Sequence, residues 1–114
     1  MHELSIAQSI VELAEEQAAK RRASGVEEVE IEIGRLAGVE SQTLRFALQS
    51  AVKNTMLEKA HIVCHDIDGE GRCGDCDATF AMPELFTPCP RCGSYAVRLI
   101  RGKELRLKSI IINK

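Results

Sequence analysis

Apolar side chains recur at helical spacing in two parts of the chain. In residues 3 to about 22 they form one stripe that comprises Ile6, Ala7, Ile10, Leu13, Ala14 and Gln17. This is the period of an amphipathic helix, and Ser24-Gly25 is typical of a helix end. Ser41 is the predicted N-cap of a second helix. The apolar stripe of that helix consists of Leu44, Ala47, Leu48, Ala51 and Val52.

Alternation of apolar and polar residues predicts three strands. Residues 29–33 alternate cleanly, as in a strand with one buried face and one face in water. Residues 60–67 predict a second strand and residues 105–112 a third, in which the break in alternation at Ser109 indicates a bulge. The region between the second and third strands is therefore expected to be an insertion, with Gly71 and Gly102 beside the chain's exit and return.

The inserted region contains two CxxC pairs separated by 12 residues. Cys73 with Cys76, and Cys89 with Cys92, each form a knuckle whose two thiolates can reach one ion, and two knuckles complete a tetrahedron. Four soft sulfur ligands in a closed tetrahedron favour structural Zn²⁺. Gly74 and Gly93 suit the tight knuckle turns. We expect residues 71–101 to form this zinc-binding module.

The predicted fold class is therefore α+β: a small three-stranded sheet with two helices, plus an inserted zinc-ribbon-like module. The α+β domain would comprise residues 1–70 and 102–114. Three further potential ligands lie just before the module. We expect Cys64 to be a buried core thiol, and His61 and His65 to be surface residues of the second strand.

Composition and charge restrict the function. No stretch approaches the roughly 20 apolar residues of a membrane span, and the start of the chain lacks a signal-peptide layout. We therefore expect a cytoplasmic protein without membrane contact, and in a reducing compartment paired cysteines indicate metal ligands before disulfides. Residues 1–71 hold 7 Lys and Arg against 13 Asp and Glu, whereas residues 72–114 hold 8 against 4. This asymmetry indicates two faces with different partners.

A second candidate site lies at the N-terminus. A free α-amine, a deprotonated backbone amide and the imidazole of His2 can close fused chelate rings around one ion, and the amide or carboxylate of Glu3 could add a donor. Nitrogen-rich sites of this kind suit Ni²⁺ or Cu²⁺. The signal is weak by itself, since a glutamate at position 3 is also a favourable charge at a helix start.

Several motifs together resemble one family. The N-terminal run from Met1 to Ala7, the strand that ends in Ile33-Gly34-Arg35-Leu36, and the two CxxC pairs before a C-terminal strand are similar to the HypA/HybF hydrogenase maturation nickel metallochaperones. The resemblance implies a carrier without catalytic turnover that delivers Ni²⁺ for [NiFe]-hydrogenase, with urease served by some members. It implies nickel binding at Met1, His2 and Glu3.

The same resemblance implies structural zinc at Cys73, Cys76, Cys89 and Cys92. Its implied partners are the nickel-handling GTPase HypB and the [NiFe]-hydrogenase large-subunit precursor. Some members have a further histidine within or beside the zinc module, but this sequence has no histidine after His65.

Two other function classes remain as alternatives. A zinc-ribbon nucleic-acid binder is favoured by the basic C-terminal region but opposed by the net charge of −2 and the scarcity of aromatic residues. An enzyme is opposed by the closed four-cysteine site, which leaves no coordination position for substrate. The sequence also has no phosphate-binding loop, no Gly-x-Ser-x-Gly elbow and no HExxH motif.

Overall fold

The structure is a computed structural model that describes residues 2–113. Two helices and six strands follow one another in a mixed order. Their bounds are α1 Glu3–Lys20, β1 Gly25–Gly34, α2 Ser41–Ala51, β2 His61–Ile67, β3 Glu70–Cys73, β4 Thr79–Ala81, β5 Val97–Arg101 and β6 Leu105–Asn113. The strands form two three-stranded sheets, so the predicted α+β class with an inserted module is confirmed.

The first sheet has the strand order β2-β1-β6. Strand β1 runs parallel to β2 and antiparallel to β6, because α2 supplies the crossover that a parallel pair requires. Val29, Ile31 and Ile33 of β1 are almost fully buried, and they pack with apolar side chains of both helices. The helix residues of this core are Ala7, Ile10, Val11, Ala14, Ala18, Leu44, Ala47 and Leu48.

The other face of this sheet is polar. Glu30 shares a hydrogen bond of 2.8 Å with His65 and accepts another of 2.8 Å from Ser109. These bonds, the one to His65 first, hold the pKa of Glu30 below its ordinary value. His61 is exposed. Cys64 is half-buried against the core, and burial raises the pKa of its thiol. Cys64 was expected to be a buried core thiol and contacts the core, but it is only half-buried. His61 lies on the surface of β2 as expected, and His65 is partly exposed.

The bulge predicted at Ser109 is present. Pairing with β6 passes from Glu30–Ser109 to Ile31–Leu107, which leaves Lys108 as the extra residue. A bulge of this kind restores the alternation of faces after one residue has been inserted. The apolar residues on both sides of it therefore face the helices.

Three local predictions were wrong. Helix α1 ends at Lys20, two residues early. Leu13 is 43% exposed, and the buried stripe includes Val11 and Ala18 in its place. The N-cap of α2 is Glu40, whose carboxylate accepts a 2.9 Å bond from the Thr43 amide, because a negative charge suits a helix N-terminus.

The second sheet is antiparallel, with the strand order β4-β3-β5. It meets the first sheet at a close backbone crossing. The Leu36 amide, just after β1, donates to the Gly102 carbonyl, just after β5, at 2.7 Å, and a Cβ atom on Gly34 would lie 2.1 Å from the Gly102 oxygen. Close approach, as well as the positive φ of 124° at Gly102, explains the glycines at this junction.

Candidate metal centre

The two CxxC pairs form matching knuckles at neighbouring ends of the second sheet. In the first knuckle, the Cys73 amide donates to the Ala78 carbonyl at 2.8 Å, and the Asp77 amide donates to the Cys73 carbonyl at 3.0 Å. In the second knuckle, the Cys89 amide donates to Ser94 at 2.8 Å, and the Gly93 amide donates to Cys89 at 2.7 Å. The same backbone turn therefore presents each pair of sulfur atoms.

A residue with left-handed backbone conformation, that is with positive φ, completes each turn. Gly93 has φ 79°, as the sequence indicated, but the corresponding residue of the first knuckle is Asp77 with φ 68°. Gly74 was predicted to serve the turn, and instead it lies where a Cβ atom would be 2.9 Å from the Ala96 oxygen. Aspartate is one of the few residues that adopt this conformation readily. Two bonds from Arg72, of 2.7 and 2.8 Å, hold the Asp77 carboxylate.

The four sulfur atoms lie within 4.8 Å of one another. The Sγ atoms of Cys73 and Cys92 are 3.5 Å apart, and those of Cys76 and Cys89 are 3.6 Å apart. A Zn–S distance of about 2.3 Å predicts edges of about 3.8 Å in a regular tetrahedron. The cysteine tetrad is thus suited to a structural metal such as zinc.

Backbone amides favour the thiolate form in this cluster. The amides of Cys76 and Asp75 each donate to the Cys73 sulfur at 3.4 Å, and they lower the pKa of Cys73 to about 7. The Arg91 amide donates in the same way to Cys89 at 3.4 Å. Metal ligation by cysteine requires the thiolate, so the backbone prepares the first cysteine of each knuckle for ligation.

Within residues 2–113, no other set of three or more histidine, cysteine, aspartate or glutamate residues brings its potential ligand atoms this close together. Cys64, His61 and His65 lie on β2, in the first sheet. The structure therefore brings together the four predicted zinc cysteines and leaves the three neighbouring candidates apart from them.

The predicted N-terminal residues stand at the start of α1. Met1 lies outside the described residues. His2 is exposed and is the N-cap residue, but its side chain makes no capping hydrogen bond. The Glu3 carboxylate accepts a 3.2 Å bond from the Glu40 amide. Its own amide and that of Glu40 lower the pKa of Glu3, so this side chain links the first turns of α1 and α2.

Within residues 2–113, neither helix has the length and apolar character needed to cross a membrane.

Comparisons with known proteins agree with these features. A family model described as "Hydrogenase/urease nickel incorporation, metallochaperone, hypA" matches residues 1–112. A hydrogenase maturation factor HypA from Parabacteroides distasonis is 65% identical over 114 residues, which cover 100% of this chain and 99% of that protein. The corresponding factor from Geobacter metallireducens is 41% identical over 110 residues, 96% of this chain and 97% of that protein.

Solved structures show the same likeness. The solution structure of the Ni metallochaperone HypA from Helicobacter pylori has a TM-score of 0.70 and 29% identity, and it covers 99% of this chain and 98% of that one. These matches give no support to the nucleic-acid alternative. The family model spans both the N-terminal motif and the cysteine knuckles. The chain belongs to the HypA family, the metallochaperones of hydrogenase and urease nickel incorporation.

Proposed function

We propose that this chain captures Ni²⁺ through Met1, His2 and Glu3 and releases it to an apo-enzyme during [NiFe]-hydrogenase maturation, with urease as a further client. The observation that supports this most is a family match over residues 1–112, which includes the N-terminal motif. The exposed side chain of His2, which is not used to cap α1, is consistent with a ligand held ready for cargo.

Helix geometry makes the first backbone amides suitable as ligands. The first four N–H groups of an α-helix have no partner within the helix. A metal can therefore displace the amide protons of His2 or Glu3 without breaking the helical ladder, whose first bond here runs from the Ile6 amide to the His2 carbonyl at 3.1 Å. Binding would release protons, so nickel affinity should fall as pH falls.

Glu3 has a different proposed part from His2. Because its carboxylate already accepts the Glu40 amide, we assign it to orienting the start of α1, and its backbone nitrogen would bind the metal after losing the proton that now bonds this carboxylate. Glu40 in turn caps α2 through Thr43. Nickel binding that shifts Glu3 would therefore be felt at the start of α2.

We assign the resident zinc to Cys73, Cys76, Cys89 and Cys92. Four thiolates occupy every position of a tetrahedral coordination sphere and leave none for substrate, which supports a structural role for the zinc. The proposed protein is thus a carrier without catalytic turnover. In this proposal, residues 1–70 and 102–114 form the nickel-binding domain and residues 71–101 the zinc-binding module.

We further propose that the chain acts in the cytoplasm, where metal is transferred before the client enzyme is complete. The proposed partners are the GTPase HypB and the hydrogenase large-subunit precursor. Hand-over proceeds by ligand exchange, in which donors of the receiving site replace the nitrogen ligands one at a time. The exposed position of His2 allows a second protein to approach an ion held there.

The test is a calorimetric titration of Ni²⁺ into zinc-loaded protein. His2→Ala should weaken binding at least about tenfold, because an imidazole ligand is lost. His61→Ala is the matched control, since His61 is exposed on β2 and should bind nickel as the parent does. Equal affinity of the parent and the His2→Ala variant would refute the N-terminal site.

A further inference from the structure

The outer edge of the first sheet is open. Among residues 2–113, strand β6 pairs with β1 on one side and has no strand on the other, because the strand order is β2-β1-β6. The Asn113 carbonyl accepts from the Ser24 amide at 2.8 Å, and the Glu104 carbonyl accepts from the Gly34 amide at 2.6 Å. Both ends therefore direct these groups inward, towards β1.

The backbone N–H and C=O groups that face the open edge can be identified from the inward-facing groups at the two ends of β6. In an antiparallel ladder, the backbone groups of successive residues point to opposite sides. Counted from Asn113 and from Glu104, with the bulge at Lys108 between them, the outward-facing groups belong to Leu105, Leu107, Ile110 and Ile112. Strand β6 thus has backbone donors and acceptors that are unpaired within residues 2–113 along most of its length. Such an edge is a template for another strand.

An apolar groove runs beside this edge on the helix side of the sheet. Two adjoining cavities of about 590 and 410 Å³ lie between α1 and β6, and both are lined by Leu13 and Leu107. Leu13 is 43% exposed although it belongs to the apolar side of α1. A fourth strand beside β6 would place alternate side chains in this groove and cover Leu13.

The charge around the groove indicates the chemistry of that strand. Its charged lining residues are Arg21, Arg106 and Lys108, and none of the lining residues is acidic. Arg106 bonds Glu32 at 2.6 Å, and the charge of Lys108 helps to lower the pKa of Glu30, after the hydrogen bonds from His65 and Ser109. Glu30 and Glu32 lie on the polar face of the sheet, so these two cations would meet the acidic side chains of an added strand while its apolar side chains enter the groove. The edge therefore favours an acidic partner.

A second copy of this chain fits less well. Full-length antiparallel pairing of two β6 strands would place Arg106 opposite Ile112 and Lys108 opposite Ile110. Opposite charges on facing strands are stabilising, and this pairing supplies no carboxylate to either cation. In contrast, β1 pairs with β6 on the inner edge and alternates Glu30 and Glu32 with buried apolar residues. A similar pattern in a partner would suit the outer edge.

We propose that the α1–β6 edge is a docking site for an extended segment of another protein that alternates apolar and acidic residues and adds to β6 as a fourth strand. Main-chain hydrogen bonds would supply affinity, and the apolar groove and the cations would supply selectivity. This inference is independent of the proposed nickel site, because among residues 2–113 neither His2 nor Glu3 lines the groove.

The probe is a fluorescent peptide of nine residues, the length of β6, that alternates valine and glutamate. Fluorescence anisotropy measures its binding to the full-length zinc-loaded protein, and a peptide of the same composition with the alternation scrambled is the control. Binding of the first peptide should be at least about tenfold tighter. Amide hydrogen exchange of Leu107, Ile110 and Ile112 should slow on binding.

Two variants test where the peptide lies. Leu13→Glu places a negative charge in the groove and should weaken binding roughly tenfold, since it adds repulsion and removes an apolar contact. Phe46→Glu is the matched control on α2, where Phe46 is 71% exposed and away from the groove, and it should bind like the parent. Circular dichroism establishes that both variants are folded.

Several outcomes would overturn the proposal. They are equal binding of the two peptides, unchanged exchange at the three β6 amides, or equal effects of Leu13→Glu and Phe46→Glu. Sedimentation that shows self-association abolished by Leu13→Glu would identify a second copy as the occupant and would also overturn it. Unchanged nickel binding in Leu13→Glu would keep this result separate from the test of the N-terminal site.

Discussion

Removal of zinc should unfold the cysteine module and leave the first sheet folded. The two parts of the chain differ in their apolar cores. Fourteen buried apolar residues form one cluster in the helices, β1 and the segment after α2. In residues 70–101, the buried residues are Gly71, Cys73, Met82 and Cys89, two of which are the proposed metal ligands.

The magnitude follows from this difference. Burial of the Met82 side chain contributes about 2 kcal/mol, whereas ordering each backbone residue of the module costs about 1 to 2 kcal/mol. A structural zinc site supplies about 10 to 16 kcal/mol of apparent binding free energy at neutral pH. The module therefore depends on its metal, and the first sheet, with its own core, does not.

The assay is amide NMR spectroscopy of uniformly labelled protein before and after a strong chelator is added. We expect the resonances of residues 70–101 to collapse to unfolded shifts, while Val29, Ile31 and Leu48 keep theirs. Restored zinc should restore the spectrum. A metal-free module that retains native dispersion would refute the reasoning, and so would loss of the whole spectrum at once.

Three further predictions concern single residues. Gly34→Ala should lower the free energy of unfolding by about 2 kcal/mol or more in urea titration, because the new Cβ would meet the Gly102 oxygen at 2.1 Å. Gly25→Ala is the control: a Cβ there has no neighbouring atom within 4 Å, so the free energy of unfolding should change by less than about 0.5 kcal/mol. Asp77→Val should cost about 1 to 2 kcal/mol in thermal unfolding of the zinc-loaded protein, since φ is 68°, whereas Asp77→Gly should cost much less. Asp66 accepts hydrogen bonds from Ser41 and Arg45, and these, the Ser41 bond first, lower the pKa of Asp66. The ionised carboxylate should therefore contribute to the free energy of unfolding above about pH 4, and this contribution should disappear as pH falls through the lowered pKa. Asp66→Asn should accordingly flatten the plot of unfolding free energy against pH on its acid side.

The chain's regular patterns predicted the parts of the fold that depend on local sequence. Spacing alone brought Cys73, Cys76, Cys89 and Cys92 together, because two intervening residues fix the knuckle geometry. The alternation in β1 and the bulge at Ser109 were also readable. These features are determined within a few residues of the chain.

Tertiary context determined the features that the sequence did not reveal. Helical spacing placed Leu13 in the core, but within the described part of the chain no strand lies beyond β6 to cover it. Ser41 has the residue type of an N-cap, yet its hydroxyl donates to Asp66 across the fold at 2.7 Å, and Glu40 takes the cap. The parallel pairing of β1 with β2 depends on how α2 crosses the sheet, which periodicity does not report.

The most direct test of the central claim is X-ray absorption spectroscopy of the zinc-loaded protein with one equivalent of Ni²⁺. We predict a first shell of nitrogen and oxygen donors, with imidazole scattering that disappears in His2→Ala and changes when an N-terminal extension blocks the α-amine. A nickel shell that contains cysteine sulfur, or one that is unchanged by the extension, would contradict the account.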